Sequence, residues 1–304
     1  MSRRRKRKKS KLSIILCVIL ILAITYGYYA YGYPDFFGNA ARATTPVGET
    51  HISFIDVGQG DASLIQTKNY VILIDTGSRS ARENILETLN RKEIESIDLI
   101  ILTHQHEDHI GNTISIIYYF DVLEIKYPKA GYDTNLVNTL IWQNTLEAIN
   151  DNEIRIIYPE VNNYRYFDDV RMDILGPLDN MRGLNNNSIA LRLTHGNKSF
   201  LFLGDAEREA EHALIAAGKI NEVDVLLVPH HGSNTSSTIE FLDATNPRYA
   251  IISVGADNRF GHPHSAVINR LESSGIYIKK TSEHGTITVI STGNNLKFRY
   301  QNSY

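Results

Sequence analysis

The chain has 304 residues, of which 42% are hydrophobic and one is a cysteine, so it is neither a disordered segment nor a small disulfide-stabilised protein. The lone Cys17 also excludes zinc sites built from several cysteines, so any metal must be held by His, Asp or Glu. Eight of the 31 basic residues lie within residues 1–11, so residues 12–304 carry 23 basic against 34 acidic side chains, which excludes a globally basic nucleic-acid-coating protein.

The first predicted element is a helix that crosses a membrane. Residues 12–33 contain no charged side chain, and this run of 22 residues is long enough to cross a hydrocarbon core of about 30 Å. The cations of residues 1–11 place the N-terminus in the cytoplasm by the positive-inside rule. We therefore expect a single-pass anchor in the cell membrane, with the rest of the chain outside the cytoplasm.

The alternative for this segment is a signal peptide that is cleaved to give a secreted protein. Residues 41–43 (ARA) resemble a cleavage site, but they lie late and the apolar run is longer than a usual signal core, which favours the anchor. On this interpretation residues 1–11 form a basic cytoplasmic tail, 12–33 the transmembrane helix, 34–49 a linker and 50–304 one domain.

Short apolar or alternating runs predict strands in that domain, and segments with helical periodicity separate many of them. The predicted strands are 51–57, 62–67, 70–75, 98–103, 188–195, 198–204, 224–229, 249–255, 285–291 and 295–300. The predicted helices are 80–92, 109–119, 133–149, 206–217, 236–244 and 264–274. This alternation predicts a layered α/β domain whose helices cover the faces of sheets.

The densest group of polar side chains, HQHEDH, directly follows the predicted strand DLIILT. Three imidazoles and two carboxylates at the end of a buried strand would be costly without partners. A tight loop here directs His104 and His106 one way, and Asp108 and His109 the other. The arrangement therefore predicts two neighbouring metal ions rather than a solvated loop.

Two later predicted strands also end in residues that can bind metals. FLFLG is followed by Asp205, and DVLLVP is followed by HHGS at residues 230–233. Alone, each group would more often be a turn residue or a buried histidine. Because α/β active sites collect side chains from several strand ends, these groups and residues 104–109 together predict one metal centre.

The motifs HxHxDH, IDTG, GD and PHHGS resemble those of the metallo-β-lactamase fold superfamily of metallo-hydrolases. More narrowly, the chain is similar to the hydrolase domain of the ComEC family of competence DNA-uptake proteins. The segments that carry this narrower resemblance are DVGQGDA (56–62), NNNSIALRL (185–193), FLGDAE (202–207), PHHGS (229–233) and SVGADNRFGHPH (253–264). The resemblance covers about residues 50–300, and it implies an αββα sandwich with metals at one edge of its two sheets.

The resemblance also implies a cofactor of two divalent ions, Zn²⁺ or Mn²⁺, which activate water and stabilise the oxygens of a phosphodiester. The implied residues are His104 and His106 at the first ion, Asp108, His109 and His230 at the second, Asp205 as a bridge, and Asp75 as a brace behind the loops. Asp108 is also the expected catalytic residue, because it can bind a metal and orient the attacking water.

One departure from the superfamily concerns the first ion. Many members have a third histidine between HxHxDH and the bridging aspartate, but this interval contains only His195, which we expect at a hairpin rather than at the metal. The segment Asn185–Asn187 offers an oxygen ligand instead, and Asn187 is a candidate supporting residue. A site with few soft donors lets Mn²⁺ compete better with Zn²⁺.

The loop before the last predicted helix carries further candidates. His262 or His264 would donate a proton to the leaving oxygen, and Arg259 would contact phosphate. An equally weighted alternative is the start of a helix, with Pro263 in its first turn and His264 or Ser265 as the cap.

Three more residues are candidates for supporting the metals or binding the substrate. Asp61 lies in the glycine-rich turn DVGQGDA, whose glycines permit backbone conformations that other residues resist. His231 and Ser233 follow His230 directly.

The resemblance implies a membrane-anchored, extracytoplasmic nuclease that acts on DNA and is related to competence. A teichoic acid phosphorylcholine esterase or a small-molecule phosphodiesterase is the alternative, because such surface esterases share the fold and similar motifs. A non-catalytic subunit is a third hypothesis. No motif distinguishes a β-lactam pocket.

Charge and topology limit the DNA hypothesis. Phosphate contacts need Lys and Arg, which are outnumbered by acids after residue 11, although two divalent ions would offset about four charges locally. One predicted span is too little for a DNA channel. The chain would therefore act alone or with a DNA-transport apparatus, and the sequence predicts no oligomeric state.

Overall fold

The structure is a computed structural model that describes residues 45–128, 139–178 and 181–301. The predicted tail, the predicted transmembrane helix and most of the predicted linker lie outside these residues. None of the described helices is both long enough and apolar enough to span a membrane.

The described part of the chain is organised around β-sheets. Its strands are β1 (Thr50–Phe54), β2 (Ser63–Gln66), β3 (Val71–Ile74), β4 (Ser96–Ile97), β5 (Leu99–Ile101), β6 (Asp121–Val122), β7 (Glu124–Lys126), β8 (Arg155–Ile157), β9 (Tyr164–Phe167), β10 (Val170–Ile174), β11 (Leu191–His195), β12 (Lys198–Phe202), β13 (Val225–Leu227), β14 (Tyr249–Ile252), β15 (Tyr277–Lys280), β16 (Ile287–Ser291) and β17 (Leu296–Tyr300). One sheet has the strand order β17-β16-β1-β2-β3-β5-β7-β8, and the other has the order β15-β14-β13-β12-β11-β10-β9. The short strands β4 and β6 form a separate pair.

Helices connect many of these strands. They are α1 (Arg82–Arg91), α2 (Glu107–Ile110), α3 (Thr113–Tyr119), α4 (Leu140–Asp151), α5 (Arg208–Ala216), α6 (Ile239–Thr245), α7 (Ser265–Ser273) and α8 (Thr281–His284). Short 3-10 turns lie at Arg79–Ala81, Asn185–Asn187 and Pro229–Gly232.

The buried side chains divide into three layers. Between the sheets, the rings of Phe54 and Phe202 stack with their centroids 5.9 Å apart. On the outer face of the first sheet, Leu73 packs in one cluster with Ile85 of α1, and Leu226 belongs to a third cluster on the outer face of the second sheet. Strands covered on both faces appear in the sequence as continuous apolar runs. With one cluster between the sheets and one on each outer face, the expected αββα sandwich is confirmed.

The parallel strands determine where loops can meet. In the first sheet β3 and β5 are parallel, and in the second β12, β13 and β14 are parallel. Their carboxyl ends therefore lie at a common edge within each sheet, and the loops that follow them carry the predicted metal ligands.

Two differences from the predicted elements have local causes. The predicted helix 109–119 is interrupted between α2 and α3, because the Asn112 side chain donates hydrogen bonds to the carbonyls of Thr76 and Ser78 instead of continuing one helical surface. Strands β4, β6, β7 to β10 and β15 were not predicted. Most of them are short, and β10 alternates apolar residues with charged ones, Arg171 and Asp173, which pair with each other.

Candidate metal centre

Four strand ends bring the predicted metal-binding residues together. Asp75 follows β3 and residues 104–109 follow β5, both in the first sheet. Asp205 follows β12 and residues 230–231 follow β13, both in the second sheet. The candidate centre therefore lies where the carboxyl ends of parallel strands from both sheets meet.

Asp205 lies at the middle of this cluster and is almost fully buried. Its Oδ1 is 3.1 Å from His109 Nε2 and 3.5 Å from His231 Nε2. Its Oδ2 is 3.7 Å from both His104 Nε2 and His230 Nε2. Each carboxylate oxygen thus faces a different pair of imidazoles, which is the arrangement required of a bridging ligand.

The Oδ2 side of Asp205 also contains His106. This residue precedes α2, and its Nδ1 lies 3.0 Å from His104 Nε2, so both nitrogens point to the same place. Burial lowers the pKa of both imidazoles. Burial thus favours the neutral form of these two rings, which is the form that binds a metal ion.

On the Oδ1 side, Asp108, His109 and His231 each present a ligand atom, and these atoms lie within 4.8 Å of one another. Asp108 Oδ2 is 3.4 Å from His231 Nε2. Burial acts to raise the pKa of Asp108, but its contact with His231 and the charge of His109 hold that pKa below the ordinary value. Asp108 is therefore a carboxylate, and its side chain is still 26% exposed.

The two adjacent histidines of PHHGS occupy different sides of Asp205. His230 was expected beside Asp108 and His109, but the structure places His231 there and places His230 with His104. Both residues have positive φ angles, 54° and 53°, so the chain turns sharply within the 3-10 turn and directs successive rings apart.

Asp75 supports the loop that contains HQHEDH. Its two oxygens accept hydrogen bonds from the backbone N–H and hydroxyl of Thr103, both at 2.7 Å, and Oδ2 is 2.8 Å from His109 Nδ1. Burial acts to lower the pKa of His109, but the carboxylates of Asp205 and Asp75 raise it well above the ordinary value. Asp75 therefore orients the His109 ring with Nε2 directed at Asp205.

Asp61 lies behind His231 in a similar way. Its Oδ1 is 3.3 Å from His231 Nδ1, which is also 3.1 Å from the carbonyl of Ser253. The turn that carries Asp61 packs directly on the loop of Asp108: a Cβ at Gly60, where φ is +133°, would lie 2.3 Å from the Asp108 carbonyl oxygen. Only glycine permits this close approach.

The buried atoms of the cluster fit divalent cations. Within the described part of the chain, Asp205 Oδ1, His109 Nε2, His231 Nε2 and both Asp61 carboxylate oxygens are buried without a hydrogen-bond partner. Such atoms are rare in folded proteins and call for an ion or ordered water. Imidazole nitrogens and carboxylate oxygens are the donors that Zn²⁺ and Mn²⁺ accept.

The loop before α7 brings one of its two predicted histidines to the cluster. The ring of His262 lies 5.7 Å from that of His230, and its buried Nδ1 has no hydrogen-bond partner among the described residues. His264 is the residue before α7 and its Nδ1 accepts a hydrogen bond from the backbone N–H of Asn234, so it supports the loop. Arg259 is exposed and lies over the ring of Phe260.

Three other candidates have structural contacts of their own. The Asn187 amide donates to the carbonyls of Met181 and Gly183 and accepts from the N–H of Met181, so it closes its own loop. The Ser233 hydroxyl lies 3.1 Å from that of Thr235. His195 lies at the hairpin of β11 and β12, as expected, and contacts Ser291 and Asp169.

Glu207 and Thr235 were not identified from the sequence. Glu207 Oε1 is 3.5 Å from His230 Nδ1 and accepts hydrogen bonds from the Thr235 hydroxyl and the Asn185 amide, both at 3.2 Å. The Thr235 hydroxyl is itself 3.1 Å from His230 Nδ1. The only signal in the sequence is the position of Glu207 two residues after Asp205, which alone does not predict a contact with His230.

Several bacterial proteins are similar to this chain along most of its length. It is 29% identical to ComE operon protein 3 of Bacillus subtilis over 273 residues, which are 84% of this chain and 33% of that protein. It is 30% identical to competence protein ComA of Neisseria gonorrhoeae over 247 residues, 80% of this chain and 32% of that protein. Recombination protein 2 of Haemophilus influenzae is 31% identical over 245 residues, 78% of this chain and 28% of that protein. The chain thus spans about a third of the length of these relatives.

Solved structures share the fold at low sequence identity. The metallo-beta-lactamase fold protein YhfI from Bacillus subtilis has a TM-score of 0.53 and 11% identity. The match covers 80% of this chain and 100% of YhfI. CmlA, a diiron beta-hydroxylase from Streptomyces venezuelae, has a TM-score of 0.54 and 15% identity, with 78% of this chain and 53% of that one covered. The family model described as metallo-beta-lactamase superfamily matches residues 55–256, which is more than half of the chain. The chain therefore belongs to the metallo-beta-lactamase superfamily.

Proposed function

We propose that this protein is a dimetal phosphodiesterase whose substrate is DNA. The observation that carries the proposal is the position of Asp205, whose two oxygens face two different pairs of imidazoles at a buried edge of the sandwich. Members of the superfamily are generally metal-dependent hydrolases. Two divalent ions held here by His104, His106 and His230 on one side, and Asp108, His109 and His231 on the other, would activate water and neutralise charge on phosphoryl oxygens.

The protein's own residues would then position the reactants. Asp108 is the partly exposed carboxylate of the cluster, so it can accept a hydrogen bond from an attacking water and fix its direction. His262 lies beside the cluster, and burial lowers its pKa to about 4, so its imidazole is neutral near pH 7. The neutral ring can still donate an N–H hydrogen bond to the leaving oxygen. Asp75 and Asp61 hold the rings of His109 and His231 from behind.

The choice of DNA is supported by the competence proteins among the relatives, since a domain similar to theirs is expected to act in DNA uptake. The excess of acidic residues in the chain opposes a polyanionic substrate. Bound divalent ions would reverse the local charge at the site and so permit phosphate to approach.

We further propose that residues 12–33 anchor the protein in the cell membrane with the catalytic domain outside the cytoplasm, alone or beside a DNA-transport apparatus. The charge-free run of 22 residues after a basic segment supports this. Membrane fractionation tests the anchor. Protease digestion of cells whose outer envelope has been removed tests whether the catalytic domain lies outside the cytoplasm. A full-length protein that stays in the soluble fraction would contradict the anchor.

The decisive test of the activity uses the purified full-length protein loaded with Zn²⁺ or Mn²⁺. Cleavage of bis-p-nitrophenyl phosphate, single-stranded DNA and double-stranded DNA is compared for wild type and Asp108→Ala. We expect wild type to cleave the small diester and DNA, and the variant to lose about 100-fold or more in kcat/KM, because it lacks the carboxylate that would bind a metal ion and orient the attacking water. Asp243→Ala, which removes an exposed carboxylate on α6, is the matched control and should behave as wild type.

The other outcomes separate the alternatives. Cleavage of the small diester without DNA cleavage would favour the cell-wall or small-molecule phosphodiesterase. If the metal content of the full-length wild type is as low as that of His104→Ala, the protein binds no divalent ion. That outcome would favour a non-catalytic subunit. Full activity in Asp108→Ala would contradict the assignment of the site.

A further inference from the structure

An exposed aromatic side chain stands beside the metal centre. Phe260 lies in the loop before α7 and is 49% exposed. Its ring is nearly parallel to that of His262, at 23°, with their centroids 5.7 Å apart, and the His262 ring is in turn 5.7 Å from that of His230. A short row of rings therefore leads from the cluster to the protein surface.

The backbone of this loop is fixed by one side chain. The Asn258 Oδ1 accepts hydrogen bonds from the N–H groups of Phe260, at 3.2 Å, and His262, at 3.0 Å. Its Nδ2 donates to the carbonyls of Gly255, at 2.9 Å, and His262, at 2.6 Å. The backbone on both sides of Phe260 is thus held in place by Asn258.

The loop is also packed against the turn that carries the metal-binding histidines. The N–H of His264 donates to the carbonyl of Gly232 at 2.9 Å. A Cβ at Gly232, where φ is +81°, would come within 2.6 Å of Pro263, so the two segments are in direct contact. The end of the loop at Pro263 and His264 is therefore fixed against the turn that carries His230 and His231.

Arg259 adds a positive charge to this aromatic surface. Its guanidinium carbon lies 4.9 Å from the centre of the Phe260 ring, and the side chain is exposed. A ligand that uses both groups must offer a flat aromatic group and an anion close together. A flat group that stacks on this ring must displace the guanidinium from it, and the displaced cation is then next to the ligand's anion.

We propose that Phe260 stacks on an unpaired nucleobase and that Arg259 binds a phosphate next to it, so that residues 259–260 select single-stranded nucleic acid for the neighbouring metal centre. The inference rests on the proposed phosphodiesterase function. Stacking on aromatic side chains is the usual way to bind unpaired bases, and it tolerates every base. Paired bases inside a duplex have no free face to offer.

The test compares two single-stranded oligonucleotides of equal length and equal phosphate count, one with all its bases and one with a run of abasic sites. The full-length, metal-loaded protein is used as wild type, Phe260→Ala and Phe260→Trp. Loss of one stacking contact should lower kcat/KM about tenfold. We therefore expect Phe260→Ala to lose about tenfold on the intact strand and nothing on the abasic strand, and Phe260→Trp to retain the wild-type preference.

Controls separate this effect from damage to the centre. Tyr118→Ala removes another aromatic side chain, 80% exposed on α3, and should leave both substrates unchanged. Metal content and hydrolysis of bis-p-nitrophenyl phosphate show whether Phe260→Ala keeps its ions. Replacing Arg259 by Ala should remove one phosphate contact. The slope of log affinity against log salt concentration should then become shallower by about 0.7, the value for one contact to a single strand.

Two failures remain distinguishable. If wild type cleaves both oligonucleotides equally, or if Phe260→Ala loses the same factor on both, the stacking proposal is wrong while the nuclease proposal stands. If wild type hydrolyses the small diester but neither binds nor cleaves any oligonucleotide, the proposed DNA substrate is wrong and the inference falls with it.

Discussion

Asp75 acts on His109 from the side of the ring that faces away from Asp205. Its carboxylate accepts from Thr103 and contacts His109 Nδ1, and all three residues are buried. A histidine held in this way by a carboxylate has its ring direction and its protonated nitrogen fixed. The metal affinity of the candidate centre should therefore depend on Asp75, a residue that need not touch the metal.

Replacing Asp75 by Asn tests this dependence. The amide keeps the size of the side chain but replaces one acceptor oxygen with a donor, so it cannot bind both Thr103 and His109 as the carboxylate does. We expect metal affinity to fall about 10- to 100-fold. Titration of Zn²⁺ or Mn²⁺ against a competing chelator measures the change.

Asp168→Asn is the matched control for this substitution. Asp168 also accepts several hydrogen bonds, from the Thr67 hydroxyl at 2.7 Å and from the Asn69 backbone at 2.8 Å, but it lies at the hairpin of β9 and β10. Its loss should affect stability without changing metal affinity. Equal affinities in wild type and Asp75→Asn would contradict the role of Asp75.

At the scale of single residues, the sequence predicted which residues form the site better than it predicted how their side chains are oriented. Spacing after strands identified which His and Asp residues gather, but it could not say which histidine of His230 and His231 faces which oxygen of Asp205. That depends on two consecutive left-handed residues, which no pattern of residue types specifies. Glu207 was missed for a related reason, since its contact with His230 joins two separate loops.

Helices α5 and α6 are joined by a buried carboxylate. Glu211 of α5 is fully buried, and its oxygens accept hydrogen bonds from the backbone N–H groups of Ser237 and Thr238 and from the Thr238 hydroxyl. Thr238 is the residue that caps α6. Glu211 therefore satisfies the N–H groups of the capping residue of α6 and of the residue before it.

Replacing Glu211 by Ala would leave these donors buried without an acceptor. We expect the free energy of unfolding to fall by about 3 kcal/mol, measured by chemical denaturation with circular dichroism. Glu211→Gln keeps an acceptor oxygen and should lose less. Glu240→Ala, an exposed acid in the first turn of α6, should change stability by no more than about 0.5 kcal/mol. A Glu211→Ala protein as stable as wild type would show that water replaces the carboxylate.

At the scale of elements, strands covered on both faces were predicted from their apolar runs, among them β3, β5, β12 and β13. Their loops carry the centre, so the approximate position of the site was predicted too. The edge strands β8 and β9 were missed, because they have exposed residues and no continuous apolar run. Tertiary pairing rather than local sequence determines such strands.

At the scale of the whole molecule, the candidate centre predicts that metal ions stabilise the fold. Ions that bind only the folded chain stabilise it, by about 4 kcal/mol at a thousandfold excess over Kd. For a domain of this size we expect Zn²⁺ or Mn²⁺ to raise Tm by about 10 °C over the chelator-treated protein. Calorimetry of both forms measures the shift.

His104→Ala provides the comparison for this effect. It removes a fully buried imidazole of the centre, so the rise in Tm on adding metal should be smaller than in wild type. Asp243→Ala should show the wild-type rise. Equal Tm values for metal-loaded and chelator-treated wild type would contradict the fit of the buried cluster to cations.

The ligands of the centre also come from distant parts of the chain, and this affects when it can form during folding. Residues 104–109 belong to the first sheet, whereas Asp205 and His231 belong to the second. Contacts between such distant residues form only after the long loops between them have closed. A chain that has paired only its first half carries the HQHEDH loop without the carboxylate that joins the two groups. The centre is therefore completed only in the finished sandwich, and partly folded chains should have no hydrolytic activity.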